Sequence, residues 1–113
     1  MKFYKTLFFI FIFLTCSVKA DLNNNLINEL KQGGKLIFIR HAYAPGNGDP
    51  QNFNLYDCST QRNLSENGRE QSKKIGNLFF KNNINIKNVY SSEWCRCKET
   101  ASIAFKAYKT KNF

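Results

Sequence analysis

The chain has 113 residues and a formal net charge of +9, with 17 lysines and arginines against 8 aspartates and glutamates. That length is typical of one domain, and such a basic balance favours anionic partners or substrates without naming them. A basic chain can also bind nucleic acid, but here the basic residues form no stripe or cluster. We therefore expect no nucleic-acid binding.

Residues 1–20 have the pattern of a secretory signal peptide. Lys2 and Lys5 lie near the start, and an apolar run follows over residues 7–14. The stretch ends on Val18-Lys19-Ala20, which resembles a small-x-Ala cleavage site. A membrane anchor is one alternative, but the uncharged run is shorter than the roughly 20 residues that span a bilayer. Lipid attachment at Cys16 is a second, which the bulky Thr15 disfavours. We predict a cleaved signal, a mature domain over residues 21–113, no stable membrane span, and a periplasmic or secreted product.

Three segments of different character follow the signal. Between residues 22 and 30, leucines and an isoleucine recur at helical spacing, and Gly33-Gly34 supplies a helix stop. Leu36 to Ile39 is a continuous apolar run, which predicts a strand buried on both faces of a sheet. Residues 42–61 contain both prolines of the chain and show no periodicity. They predict a long loop that is either functional or mobile.

The second half of the chain alternates helix and strand. Ser65 is placed to cap a helix that runs to about Lys81, and Ile86 to Tyr90 is predicted as a second strand. Ser91 or Ser92 is placed to cap a third helix, after which no further strand is predicted. Strands that alternate with helices indicate an α/β domain with a parallel sheet. Two strands leave open edges and a small core, so we interpret the chain as the front part of such a domain.

Three cysteines remain after the predicted cleavage, which leaves one disulfide with one free thiol as a possibility. Cys95 and Cys97 are separated by a single residue, a poor spacing for a mutual bridge or a zinc site. Cys58 can pair with either of them only if the fold brings them together.

Chemically competent residues follow both predicted strands. Arg40 and His41 come directly after the first strand, and Arg96 comes shortly after the second. Because ligands bind beyond the carboxyl ends of strands in open α/β sheets, we expect these side chains to converge. Imidazole is a competent nucleophile near neutral pH, and guanidinium groups hold phosphoryl oxygens. The pattern predicts a phosphate site, although position alone also allows an exposed histidine and surface arginines.

Three blocks of the sequence resemble the signatures of one family, the histidine phosphatase superfamily. LIFIRHA at residues 36–42 resembles the Arg-His-Gly segment that opens these proteins, with Ala42 where many members have glycine. QRNLSENGREQSKKIG at residues 61–76 resembles the second signature. VYSSEWCRCKETA at residues 89–101 is similar to the third. The blocks occur in the family's order.

The resemblance implies a phosphoglycerate mutase-like three-layer sandwich with a mostly parallel sheet, here truncated to its N-terminal portion. It implies that His41 is phosphorylated, that Arg40 and Arg96 bind the phosphate, and that Arg62 is a further phosphate-facing arginine. It implies no metal and no other cofactor. Members also carry a second pocket histidine and a carboxylic general acid, whereas His41 is the only histidine of this chain.

From the resemblance we expect an exported phosphatase that hydrolyses a phosphomonoester through a phosphohistidine. Its substrate would be a small phosphorylated compound or a phosphorylated envelope glycan. Because the second histidine and the acid are missing, we expect weak activity or none. The alternative is a catalytically silent phosphate-binding or interaction module. A small secreted structural protein is a third reading, which the three blocks disfavour.

Overall fold

A computed structural model of the chain describes residues 23–112, so the predicted signal peptide lies outside the described residues. The described part is a small α/β structure with three helices and a two-stranded parallel sheet. In chain order the elements are α1 (Asn24–Lys31), a 3₁₀ turn (Cys58–Thr60), α2 (Glu66–Lys81), β1 (Tyr90–Ser91), α3 (Cys95–Phe105) and β2 (Lys109–Thr110). Within residues 23–112 no helix has the length and apolar character needed to cross a membrane.

The first two helices both begin at side-chain caps, and the cap of α2 is the one that the sequence predicts. Asn23 accepts a hydrogen bond from the backbone N–H of Asn25 at the start of α1. At the start of α2 the Ser65 hydroxyl accepts from the backbone N–H of Gly68 at 3.2 Å. Each cap satisfies a donor that the first helical turn leaves without a partner. The predicted α2 range is confirmed.

Helices α2 and α3 pack against each other and form the main contact of the fold. Gly76 allows the closest approach, since a Cβ atom there would lie 2.2 Å from the carbonyl oxygen of Ala104. Phe79 meets Phe105 edge to face, with ring centroids 5.3 Å apart, which is a favourable aromatic geometry. Arg69 on α2 donates to Glu99 on α3 at 2.7 Å. The pair of helices thus forms a platform for the preceding loop.

The sheet differs from its prediction. Tyr90 pairs with Lys109 and Ser91 with Thr110 in parallel register, so β1, α3 and β2 form a β-α-β unit. The prediction that no strand follows the third helix is therefore wrong. The sequence carries no apolar signal for this strand, because residues 109–112 are polar and an exposed edge strand needs no apolar run.

The predicted buried strand at Leu36 to Ile39 is also wrong for the described residues. This segment is assigned to no strand, and Leu36 and Phe38 are 88% and 90% exposed. A strand needs backbone partners and a buried strand needs layers on both faces. Residues 23–112 supply neither to this segment.

Candidate functional site

The segment after Ile39 lies across the N-terminal ends of α2 and α3 and is anchored to both. The backbone N–H of Ala42 donates to the Thr100 hydroxyl at 3.0 Å, and the same hydroxyl donates to the carbonyl of Arg96 at 2.7 Å. The backbone N–H of Tyr43 donates to the side-chain oxygen of Gln71 at 2.9 Å. Ala42, Ala44 and Leu64 form a buried apolar cluster beneath this segment. The residues around His41 are therefore fixed by tertiary contacts, although no strand precedes them.

A backbone contact sets the tautomer of the half-buried His41. Its Nδ1 lies 2.8 Å from the carbonyl oxygen of Ala42. A carbonyl oxygen can only accept a hydrogen bond, so Nδ1 carries the proton in this contact. In the neutral ring Nε2 then keeps its lone pair. That arrangement suits a nucleophile, because the reactive nitrogen is the one that the backbone does not use.

Arg96 lies in the first turn of α3 and is only 9% exposed. Its Nη1 donates to Asp49 at 2.9 Å, and its guanidinium carbon lies 4.5 Å from the centre of the Trp94 ring. Its Nε is buried and has no hydrogen-bond partner among residues 23–112. A buried donor without a partner costs free energy unless a ligand or a water satisfies it. Within the described residues Arg96 therefore keeps one donor unused, and that donor is enclosed by protein atoms.

Arg62 lies beside Arg96 and shares this feature. Its Nη1 donates to the carbonyls of Ala44 at 2.6 Å and Gly46 at 3.3 Å, and its Nε is buried without a partner in the part of the chain that the structure describes. Its own carbonyl lies 3.4 Å from Nη1 of Arg96. Arg62 and Arg96 thus contact each other through this backbone carbonyl where the long loop joins α2 and α3, and each has a buried Nε that no described residue satisfies.

The carboxylate of Asp49 joins the two arginines. Its Oδ1 accepts from the backbone N–H of Arg62 and from Nη1 of Arg96, each at 2.9 Å. Burial raises the pKa of Asp49, but the hydrogen bonds from Arg62 and Arg96 and the two positive charges outweigh it and lower the pKa below its ordinary value of 3.8. Asp49 is therefore ionised at neutral pH.

A disulfide holds the loop against α3. Cys58 is bonded to Cys95, which lies 37 positions further along the sequence, with Cα atoms 5.7 Å apart, and Cys97 is free. This resolves the pairing that the sequence leaves open. The side-chain oxygen of Gln61 accepts from the backbone N–H of Cys95 at 3.0 Å and so caps α3. The predicted caps at residues 91 and 92 are wrong, because the helix starts after Trp94 and is capped from the loop.

Residues 36–111 match the family model of the histidine phosphatase superfamily (branch 1). The chain belongs to that superfamily. It is also similar to a phosphoglycerate mutase of Candida albicans, with 32% identity over 73 residues, 65% of this chain and 28% of the mutase. The chain thus spans less than a third of the length of that relative. No solved structure matches it at a significant level.

The structure brings together some, but not all, of the site residues that were predicted for this member of the histidine phosphatase superfamily. Arg62 and Arg96 meet around Asp49, and His41 is tied to the same region through Ala42 and the Thr100 hydroxyl. Arg40 is exposed, in line with the exposed segment before it. The catalytic role of His41 and the phosphate roles of the three arginines remain predictions.

Sequence reasoning missed three residues that organise this region: Asp49, Gln61 and Thr100. Asp49 lies in the unpatterned loop, and nothing in its neighbours reveals a partner 47 residues away in sequence. Thr100 is part of the third signature block, yet the hydrogen bond that it accepts from Ala42 depends on how the loop crosses α3. Within residues 23–112, no three histidine, cysteine, aspartate or glutamate residues cluster as metal ligands.

Proposed function

We propose that this chain carries the phosphohistidine part of a phosphatase site, with His41 as the nucleophile for a phosphomonoester. The observation that carries the proposal is a histidine whose Nε2 is bonded to no described residue and whose neighbour Ala42 is linked through the Thr100 hydroxyl to Arg96. Membership of the histidine phosphatase superfamily supports it. The net charge of +9 favours the approach of an anionic substrate.

In the proposed reaction Nε2 of His41 attacks the phosphorus atom. An N–P bond forms while the ester P–O bond breaks, and the leaving oxygen takes a proton from solvent. Water then attacks the phosphohistidine, so phosphate leaves and the imidazole is restored. The guanidinium groups of Arg96 and Arg62, joined by Arg40, stabilise the charge on the three equatorial oxygens.

Turnover by this chain is expected to be slow. His41 is its only histidine, and no carboxyl group is assigned as the general acid. A general acid contributes about 10²- to 10⁴-fold to the rate, because an unprotonated alkoxide is a poor leaving group. Covalent labelling of His41 is therefore a better test than turnover.

We also propose the finer architecture and location that the family resemblance suggests. In a phosphoglycerate mutase-like sandwich, the exposed apolar segment Leu36 to Ile39 would be a strand of a larger, mostly parallel sheet. Export to the periplasm or beyond is supported by the Cys58–Cys95 disulfide, since such bonds persist in oxidising compartments. The substrates would be small phosphorylated compounds or phosphorylated envelope glycans. Mass spectrometry of the protein from its native compartment tests the export, because cleavage after Ala20 leaves a new amino terminus.

The function is tested by incubating the chain with a ³²P-labelled phosphomonoester and assaying for an acid-labile, base-stable label. Any phosphohistidine formed must be at His41, because the chain has no other histidine. We expect a label that His41→Asn abolishes and that Arg96→Lys reduces by about tenfold, since lysine lacks the bidentate fork.

Two other outcomes of this experiment would not support a phosphohistidine at His41. Phosphate binding without a covalent label would favour the silent binding module. A chain that neither takes the label nor binds phosphate would refute the proposed function.

A further inference from the structure

The long loop places one carboxylate against the two arginines in a specific way. Gly48, with φ +71°, turns the chain immediately before Asp49, a backbone conformation that side chains disfavour. The Asp49 side chain is 10% exposed, as is that of Arg96, so their ion pair lies largely out of solvent. Asp49 is therefore a structured, largely buried part of the site.

The guanidinium group of Arg96 is held on one side and left unpartnered on another. Nη1 is used twice, by the carboxylate of Asp49 and by the carbonyl of Arg62. The ring of Trp94 covers the plane of the group, and that ring contacts Phe53 of the same loop with centroids 4.9 Å apart. Nε is buried, and none of the described residues accepts a hydrogen bond from it. Because Nη1 and one face of the planar guanidinium group are both held, the group has little freedom to rotate its remaining N–H donors.

We infer that Asp49 is a positioning residue for anion binding, which holds Arg96 by Nη1 so that its guanidinium group keeps one orientation towards a phosphoryl group. The inference rests on the proposed function for the identity of the anion, but not for the positioning itself. Holding the group in advance reduces the ordering cost when the ligand binds.

The opposite effect is conceivable, because Asp49 is also an anion close to the anion site. A carboxylate that merely competes with phosphate would weaken binding, and its removal would strengthen binding. Positioning and competition therefore predict changes of opposite sign, which makes them separable by substitution.

The experiment compares Asp49→Ala with Asp49→Asn in the full chain. Asparagine keeps an oxygen that can accept from both N–H groups and removes only the charge, whereas alanine removes the acceptor as well. Asp57→Ala is the matched control, because Asp57 lies in the same loop and, within residues 23–112, its carboxylate accepts only from Ser59. The dissociation constant for inorganic phosphate is measured by ³¹P NMR, and thermal unfolding by circular dichroism.

Positioning predicts that alanine at residue 49 weakens phosphate binding by about tenfold, while asparagine and the Asp57 control change it by less than about threefold. Tighter binding in both residue-49 variants would overturn the inference in favour of competition. Unchanged phosphate affinity with a lowered melting temperature would overturn it in favour of a purely structural role. If the alanine variant does not fold, Asp49→Glu replaces it. The longer side chain keeps the charge but displaces Arg96, so positioning again predicts weaker binding, and unchanged affinity refutes it.

A second readout separates this inference from the proposed function. The Nε–H of Arg96 is observed by ¹⁵N NMR, with Arg96→Lys used to assign it. In the unmodified chain we expect a resolved, slowly exchanging signal. This signal should persist in Asp49→Asn and be lost in Asp49→Ala. If the chain binds no phosphate but shows this pattern, the positioning by Asp49 is supported and the proposed function is refuted. A signal that is unaffected by alanine refutes the positioning.

Discussion

Replacing Gly68 by alanine tests how closely the His41 segment approaches α2. A Cβ atom on Gly68 would lie 2.1 Å from the carbonyl oxygen of Tyr43. That oxygen belongs to the backbone and accepts from the N–H of Ser65 at 3.2 Å, so no side-chain rotation relieves the overlap. The segment that carries His41 must move away from the helix.

The magnitude follows from two opposing terms. Overpacking of this kind costs about 1–3 kcal/mol, and a contact this short with backbone lies at the upper end. Alanine gains back up to about 1 kcal/mol as the better helix former. We expect a net loss of about 2 kcal/mol, which lowers the melting temperature of a domain of this size by roughly 8–16 °C.

Two other substitutions in α2 make the result interpretable. Gly76→Ala has a similar overlap, 2.2 Å from the carbonyl of Ala104, but between α2 and α3 and not at the loop. It should destabilise the chain as much as Gly68→Ala does. Asn77→Ala, at an exposed position of α2, should stabilise it by a few tenths of a kcal/mol, since about 0.5 kcal/mol separates these residues in helix propensity.

The assay is thermal unfolding followed by phosphate binding well below the melting temperature. We expect Gly68→Ala to weaken phosphate binding and Gly76→Ala to leave it unchanged, because only the first moves the His41 segment. A melting temperature within about 2 °C of the unmodified chain for Gly68→Ala, with Asn77→Ala behaving as expected, would refute the close approach. An equal loss of phosphate binding in both glycine variants would refute the link to the site.

Two further predictions concern the loop. Reduction of the Cys58–Cys95 disulfide, whose cysteines are 37 residues apart, should destabilise the chain by about 3–4 kcal/mol in the chain-entropy account, while Cys97→Ser should not. Melting curves with and without a reductant check this, and curves within about 2 °C of each other would contradict it. Because the folded pKa of Asp49 lies below 3.8, its contribution is complete above that pH and is lost as the pH falls through the folded value. Urea midpoints measured under acid conditions should therefore fall less steeply for Asp49→Asn, and parallel profiles would count against the Asp49–Arg96 pair.

Helices α1 and α2 were predictable because their signals are local. Ser65, the spacing of apolar residues in α2 and the double glycine after α1 lie within a few residues of the features that they control. The candidate nucleophile and its arginines were also visible, because His41 is unique and the signature blocks have distinctive residues at short spacing. Local hydrogen bonding and periodicity require no knowledge of distant contacts.

The strands were not predictable in the same way, because a strand is defined by its partner. Residues 36–39 have an ideal composition for a strand and remain unpaired among the described residues, whereas the polar pair Lys109–Thr110 forms one. The carboxylate of Asp49, the cap that Gln61 provides for α3 and the choice of Cys95 over Cys97 depend likewise on contacts between residues more than 30 apart in sequence. The sequence by itself determined the helices, the family and the candidate residues. The tertiary structure alone decided which donors of Arg62 and Arg96 are already used, because that depends on how the loop closes over the helices.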